Sequence, residues 1–304
     1  MKLSVVTTTY NSSGYIKVFI DRLKKTLDKE NINYEIIIVD DGSKDDSVKK
    51  IKDIKLTIKN ITLIELSRNF GQHPALICGL QHAKGEFIFM LDSDLEEEPE
   101  LYPQFKDELI NGDLDLVYGQ ASSRRGGVLE RLSGNFYFFF LEHIFGLYQP
   151  KNLATIRLMR REYLDAYLLF NEYVIQIGAI AELVGFKKKG ILINKVRLRK
   201  TTYSWLMKFQ VLVRSITNYS SRPLYLLFYS GIIISFISFS ILIYFVIISF
   251  LMETAVPGWL TLVCLSWMGV GITILSNGII AIYLKTIFVE VKGRPRTIIR
   301  RIHN

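Results

Sequence analysis

Cysteine is nearly absent. Cys78 and Cys264 are the two in 304 residues, no CxxC occurs, and Cys264 lies in a long uncharged stretch that Cys78 does not share. This excludes a disulfide scaffold and makes reduced, cytosolic chemistry the expectation. His73, His82, His143 and His303 have no ligand spacing, so zinc is not expected. No GxGxxG follows the first strand-like run, which disfavours a dinucleotide-binding enzyme. No charged n-region and apolar h-region precede Leu3, so the reading includes no cleavable signal peptide.

Charge is missing from two places. Pro223 to Met252 contains no charged residue, and after Glu253 there is none again from Thr254 to Leu284. Each stretch exceeds the roughly 20 apolar residues that cross a ~30 Å hydrocarbon layer, so a transmembrane hairpin is expected, turning near Pro257 and Gly258. Lys and Arg crowd both flanks, from Lys195 to Arg222 and beyond Leu284, while the short connecting loop has neither. By the positive-inside rule both flanks face the cytosol. The formal charge of +9 is therefore a membrane-side excess, because residues 1–186 hold 22 basic against 27 acidic residues. No nucleic-acid partner is expected from the high isoelectric point.

What is present before residue 200 is alternation. Leu3 to Thr8, Glu35 to Val39, Ile61 to Leu66, Glu86 to Leu91 and Leu114 to Tyr118 are β-branched, apolar runs that read as strands. Tyr15 to Leu27, Lys44 to Ile54, Pro74 to Ala83 and Glu100 to Ile110 carry helical spacing between them. The pattern predicts an α/β domain with a mainly parallel, doubly wound sheet. The boundaries expected are an α/β domain at 1–200, a juxtamembrane amphipathic helix at 201–222, two spans at 223–285 and a basic cytosolic tail at 286–304. The juxtamembrane helix is expected because Trp205, Leu206, Phe209, Leu212, Val213 and Ile216 fall near one face just before the first span.

Ligands of such sheets bind at the carboxyl ends of the strands. Strand one ends in Thr7-Thr8-Thr9-Tyr10-Asn11, strand two in Asp40-Asp41-Gly42-Ser43, strand three in Arg68-Asn69-Phe70-Gly71 and strand four in Asp92-Ser93-Asp94. The carboxylates of Asp92 and Asp94, one residue apart after a buried strand, are hard oxygen ligands suited to Mg²⁺ or Mn²⁺. A plain strand-end turn is the competing reading. Glu96, Glu97 and Glu98 follow closely and raise the cost of leaving the cluster without a cation, although acids ahead of Pro99 could equally complement the N-terminus of the next helix. Asp40 and Asp41 suit the N–H of a base or a ribose hydroxyl, although an Asx-type turn around Gly42 would use the same residues. Thr8, Tyr10, Asn11, Asp40, Asp41, Arg68, Asp92 and Ser93 together make a candidate nucleotide pocket.

The ordered series VVTTTYN, IIVDDGS, RNFGQHPAL and GEFIFMLDSDLEEEPE, followed by a membrane hairpin, resembles family 2 glycosyltransferases of the GT-A fold. The resemblance spans the chain. It points to the dolichyl-phosphate mannose synthase and bacterial polyprenyl-phosphate glycosyltransferase group. It implies a Rossmann-like GT-A cytosolic domain with C-terminal interfacial helices and a two-helix hairpin, in a bacterial inner membrane, multi-pass, with both termini cytosolic. It also implies a UDP- or dTDP-type sugar donor, a polyprenyl (undecaprenyl) phosphate or lipid-linked acceptor for cell-surface glycan assembly, Mg²⁺ or Mn²⁺ as cofactor, and self-association. By resemblance, Tyr10 and Asp41 face the nucleobase, Asp92 the ribose and diphosphate, and Asp94 the metal. Glu96 stands where relatives usually carry a metal-contacting Gln, and Thr8 where Pro is common.

The resemblance breaks at one acid. A Gly-Asp-Phe-Arg-Leu stretch in many bacterial relatives corresponds here to Ala154-Thr155-Ile156-Arg157-Leu158. A phosphate acceptor is already largely anionic near neutral pH and needs little base catalysis, whereas a sugar hydroxyl needs a positioned base. Glu172 and Glu182 are the unassigned acids. Among Arg124, Arg125, Arg131 and Arg157, the last two are the candidate contacts to acceptor phosphate, since guanidinium binds phosphate bidentately, with an exposed basic face near anionic lipid headgroups as the competing reading. The expected catalytic set is thus Asp94, Arg131 and Arg157, with Asp92, Asp94 and Glu96 as metal ligands. Two alternatives stand beside lipid-phosphate transfer: glycosylation of a hydroxyl on a lipid-linked oligosaccharide or O-antigen precursor, and a non-catalytic nucleotide-sugar-binding membrane protein.

Overall fold

A computed structural model describes residues 2–121, 153–170, 172, 177–195, 213, 216, 220–252 and 258–304. The described strands are β1 (Lys2–Thr9), β2 (Asn33–Asp40), β3 (Ile61–Leu66), β4 (Phe87–Met90), β5 (Leu116–Ala121), β6 (Leu153–Arg160), β7 (Lys188–Ile193) and β8 (Ile299–His303). The described helices are α1 (Ile16–Lys29), α2 (Ser47–Thr57), α3 (Gln72–His82), α4 (Tyr102–Asn111), α5 (Arg161–Leu168), α6 (Ile177–Leu183), α7 (Arg222–Met252) and α8 (Trp259–Val291). A 3₁₀ turn, Pro99–Leu101, leads into α4.

The strands form one sheet in the order β7-β5-β6-β4-β1-β2-β3-β8. β1, β2, β3 and β4 pair in parallel, β5 pairs in parallel with β7, and β6 and β8 run against their neighbours. The expectation of a mainly parallel α/β sheet therefore holds. The chain steps outward from β1 to β2 and β3, then returns to place β4 on the other side of β1. That reversal opens a crevice above the carboxyl ends of β1 and β4.

The sheet is covered on both faces, which explains why its central strands are almost continuously apolar. Leu3, Val5, Ile36, Ile38 and Phe89 point into one layer with Phe19, Ile20 and Leu23 of α1 and Tyr102 and Phe105 of α4. Phe89 meets Tyr102 and Phe105 edge-on, at centroid separations of 5.3 and 6.3 Å. Val6, Ile37, Val39 and Ile64 point into the opposite layer with Leu76, Ile77 and Leu80 of α3 and Tyr163 and Leu164 of α5. α1 owes its position to Ile16, Phe19, Ile20, Leu23 and Leu27, all fully buried, whose three- and four-residue spacing makes one apolar face. Gly79 of α3 lets the helix sit close on the sheet, because a Cβ there would lie 2.6 Å from Val6 Cγ1.

The compact unit around this sheet includes residues 293–304, and a separate unit holds the two long helices. α7 and α8 contain segments of 20 and 27 residues with mean hydropathy 2.0 and 1.8, long and apolar enough to cross a bilayer. α8 continues through Val291, past the Leu284 limit of the uncharged stretch. The reading of 286–304 as a tail needs correcting, since Ile299–His303 forms β8, antiparallel to β3. His303 Nε2 lies 2.6 Å from Glu65 Oε1, and the Ser67 N–H donates to the Ile298 carbonyl at 2.9 Å. The charged residues that made this segment look like a tail are those an edge strand tolerates, because one rim of it faces water. The expected juxtamembrane helix at 201–222 falls almost wholly outside the described residues.

Candidate active site

A cavity of about 440 Å³ lies at the carboxyl ends of β1, β2 and β4. Thr8, Tyr10, Asp41, Asp92, Ser93, Asp94 and Glu96 line it, so seven residues singled out by sequence meet in one place. Thr9, Ser12, Tyr15, Asn69, Gly71 and Gln72 complete the lining.

The β1 and β2 ends are held together by their own polar groups. The Asp41 N–H donates to the Thr9 carbonyl at 2.9 Å, extending the ladder by one bond. Asn11 takes a left-handed conformation, with φ of 49°, which Asn tolerates better than most residues. Its N–H donates to Ser43 Oγ, and its Oδ1 accepts from the Lys44 N–H, both at 2.9 Å. Asn11 thus fastens the two strand ends and is outside the lining. Asp40 is buried and its Oδ2 accepts from the Ser43 N–H at 3.0 Å, the Asx-type turn left open by the sequence. Burial pushes its carboxyl pKa up.

Asp41 is turned toward the next strand end. Its two oxygens accept the N–H groups of Phe70 at 2.7 Å and Gly71 at 2.9 Å, fixing the β3–α3 connection. Burial raises its pKa and these two hydrogen bonds oppose the rise. Gly42 is required beside it: its φ is +73°, and a Cβ would lie 2.6 Å from the carbonyl carbon of Arg68. Arg68 lies outside the lining. It donates to the Asn69 carbonyl at 3.0 Å and stacks over the Phe70 ring at 4.1 Å.

The β4 end carries the acids. Ser93 Oγ donates to the Thr8 carbonyl at 2.7 Å, binding this end to β1. Leu95 adopts φ of 63°, and the Glu96 N–H donates to Asp94 Oδ1 at 3.0 Å, so the chain reverses tightly enough for Asp92, Asp94 and Glu96 to share the cavity. Asp92 Oδ1 accepts from Gln72 Nε2 at 2.6 Å. Burial first, then repulsion from Glu97 and Asp94, pushes the Asp92 pKa up to about 7.

Behind the acids lies a group that the sequence reading left unassigned. Glu97 is 1% exposed. It accepts from the Asp92 N–H at 3.3 Å, the Thr155 N–H at 2.7 Å and Lys195 Nζ at 3.3 Å. Lys195 Nζ also lies 3.6 Å from Glu96 Oε2. The acids after Asp94 were read as raising the cost of a cluster without a cation; Lys195, just past β7, already gives Glu96 and Glu97 one. Gln72 was likewise missed, though its place at the β3 strand end was the available signal.

Arg157 sits on β6 between Met90 and Tyr118 in register, 5% exposed and outside the lining. Burial lowers its pKa, against stabilisation by the electron-rich surroundings of Tyr167, Tyr163 and Glu97. Glu182 forms an ion pair with Lys188 at 2.6 Å and is not at the cavity, and Glu172 is not in its lining. Arg124, Arg125, Arg131 and His143 lie outside the described residues.

Among the described residues no group of three or more His, Cys, Asp or Glu is arranged to hold a metal ion. The donor chemistry nonetheless fits a hard divalent cation. Asp92, Asp94 and Glu96 line the cavity together, and although burial is the first cause of the raised Asp92 pKa, the repulsion from Glu97 and Asp94 that adds to it is what such an ion would relieve.

The sequence profile of "Glycosyl transferase family 2" matches residues 4–168, more than half the chain and including every described strand end of the cavity. The chain belongs to this family. It is 35% identical over 303 residues to a Mycobacterium tuberculosis protein named as a glycosyltransferase, covering 100% of this chain and 89% of the other. It is 25% identical over 307 residues to the undecaprenyl-phosphate 4-deoxy-4-formamido-L-arabinose transferase of Aeromonas hydrophila, covering 99% and 93%. The glucosyl-3-phosphoglycerate synthase of M. tuberculosis, solved with Mn²⁺, UDP and phosphoglyceric acid, aligns with 70% of this chain and 76% of its own at a TM-score of 0.50 and 20% identity. That likeness concerns the fold. This family 2 chain is a glycosyltransferase with an α/β domain of GT-A type and two apolar C-terminal helices.

Proposed function

We propose that this glycosyltransferase moves a sugar from a nucleoside diphosphate donor to polyprenyl phosphate, at the cytosolic face of a bacterial inner membrane. The observation that carries the reading is the meeting of Tyr10, Asp41, Asp92 and Asp94 in one cavity of a family 2 chain that goes on into two bilayer-length helices. The undecaprenyl-phosphate transferase, related over nearly its whole length, supports the acceptor class.

In this mechanism Tyr10, 45% exposed at the rim, gives the base a flat surface, and Asp41 accepts a base N–H while keeping its two backbone partners. Asp92 faces the ribose and diphosphate. Asp94, with Asp92 and Glu96, would hold Mg²⁺ or Mn²⁺, which supplies positive charge where the diphosphate departs. An acceptor phosphate oxygen attacks the anomeric carbon as the bond from that carbon to the diphosphate oxygen breaks, so configuration inverts and the electron pair leaves with the nucleoside diphosphate. The acceptor phosphate, with a second pKa of about 6, enters already charged and needs no base. This agrees with a Thr155 position that carries no acid. Arg131 is assigned to the acceptor side from the sequence, whereas Arg157, 5% exposed and outside the cavity lining, is withdrawn as an acceptor contact because its guanidinium is enclosed in the sheet's interior. A hydroxyl acceptor is the second reading, and it demands a base that none of the cavity acids supplies while holding donor and metal.

The test uses full-length, detergent-purified protein with labelled UDP- and dTDP-sugars, Mn²⁺ and undecaprenyl phosphate. A lipid-phosphate monosaccharide is the expected product, and both EDTA and Asp94→Ala abolish its formation. Turnover that survives either treatment discards the metal role, and product formed only on a lipid-linked oligosaccharide discards the phosphate acceptor.

A further inference from the structure

The acidic run that lines the cavity is paired with a cation outside the lining. Lys195 Nζ lies 3.3 Å from Glu97 Oε1 and 3.6 Å from Glu96 Oε2. These two carboxylates differ in kind. The Glu97 side chain is wholly buried and tied by two backbone N–H groups, those of Asp92 and Thr155, so it cannot turn to solvent or to a ligand. Glu96 both lines the cavity and pairs with Lys195, which is outside the lining, so one carboxylate is shared between the cavity and the lysine. Among the described residues, Lys195 is the cation that forms ion pairs with this acidic run. Burial alone would lower its pKa, but Glu97, then Asp92 and Asp94, together outweigh that cost and raise it.

We propose that Lys195 is a positioning residue that acts as a resident counter-ion: it holds the acidic wall folded when the cavity contains no divalent ion, and it competes with that ion for Glu96. The inference rests on the reading of Asp92, Asp94 and Glu96 as a divalent-cation site. Two like charges at one wall repel, so the lysine that supports the empty site limits how tightly the metal binds. A purely structural lysine would behave otherwise, since its loss would loosen the wall and weaken every ligand.

The experiment measures Mn²⁺ binding to full-length protein without donor, by the fall in the free Mn²⁺ electron paramagnetic resonance signal, alongside thermal unfolding with and without Mn²⁺. Lys195→Met and Lys195→Gln remove the charge. The Gln variant keeps an N–H donor for Glu97 and serves if the Met variant does not fold. Both are expected to melt earlier than wild type without metal and to bind Mn²⁺ about tenfold more tightly, given the Coulomb interaction of partly screened charges. Lys195→Arg restores the wild-type values. Unchanged or weaker Mn²⁺ binding in a folded, charge-less variant overturns the role of Lys195 while leaving the metal site intact. Failure of the wild type itself to bind Mn²⁺ overturns the metal reading and the inference with it.

Discussion

Asp41 offers the sharpest separation of architecture from recognition. Its two oxygens accept the Phe70 and Gly71 N–H groups at 2.7 and 2.9 Å, and these bonds set the course of the chain between β3 and α3. Hydrogen bonds to a charged group contribute about 1.5–3 kcal/mol each, so Asp41→Ala forfeits about 3–6 kcal/mol before compensation. Two effects reduce this: the truncation relieves the burial that raises the Asp41 pKa, and water from the cavity reaches the freed N–H groups. The net loss expected is about 2–3 kcal/mol, roughly 5–10 °C in Tm for a unit of this size. Asp41→Asn keeps one acceptor oxygen and should lose about half as much. Differential scanning fluorimetry of the detergent-purified chain, paired with UDP titration calorimetry, reads both consequences. An Ala variant melting within a degree of wild type would refute the claim that this carboxylate holds the connection. A Asn variant that retains full UDP affinity would remove Asp41 from base recognition.

Two further outcomes are expected. Because Asp92 is protonated up to about pH 7 in the folded chain and only to about pH 4 when unfolded, it stabilises the metal-free fold at low pH and loses that contribution as pH rises from about 4 to about 7. Chemical unfolding in EDTA should therefore show a falling component with a limiting slope of about 1.4 kcal/mol per pH unit, absent in Asp92→Asn; a slope of opposite sign in the difference between the two proteins contradicts the assignment. Gly42→Ala forces a side chain into φ of +73° and against the Arg68 and Asn69 backbone at 2.6 and 2.8 Å, costing about 2–4 kcal/mol by strain and overpacking together, and a Tm lowered by less than about 2 °C would show that the turn relaxes freely.

The legible part of the fold was the part buried on both faces. β1 to β4 show as short apolar runs because helices cover each side, and the reading placed them within a few residues. β6 escaped because Ala154-Thr155-Ile156-Arg157-Leu158 holds a charged residue that only the folded interior, with Tyr163 and Tyr167 around it, makes compatible with burial. β8 escaped because Ile299–His303 looks like surface chain until β3 pairs with it. The site divided in the same way. Strand-end residues could be found because topology sends ligands to strand ends, but periodicity cannot say which neighbour turns outward: Asp41 reaches the cavity while Asp40 and Asn11 serve the turn. The Glu97–Lys195 pair spans 98 residues of chain, and no local pattern signals a partner at that distance.

The order of β8 along the chain constrains how this protein is made. The strand that covers the outer rim of β3 is encoded after α7 and α8, so a ribosome has released both long apolar helices before the sheet can be closed. Until then β3 presents an unpaired edge, open to any extended segment nearby. Synthesis of the two long apolar helices and completion of the sheet are thereby one assembly problem, and a label or deletion placed near His303 alters the rim of the sheet.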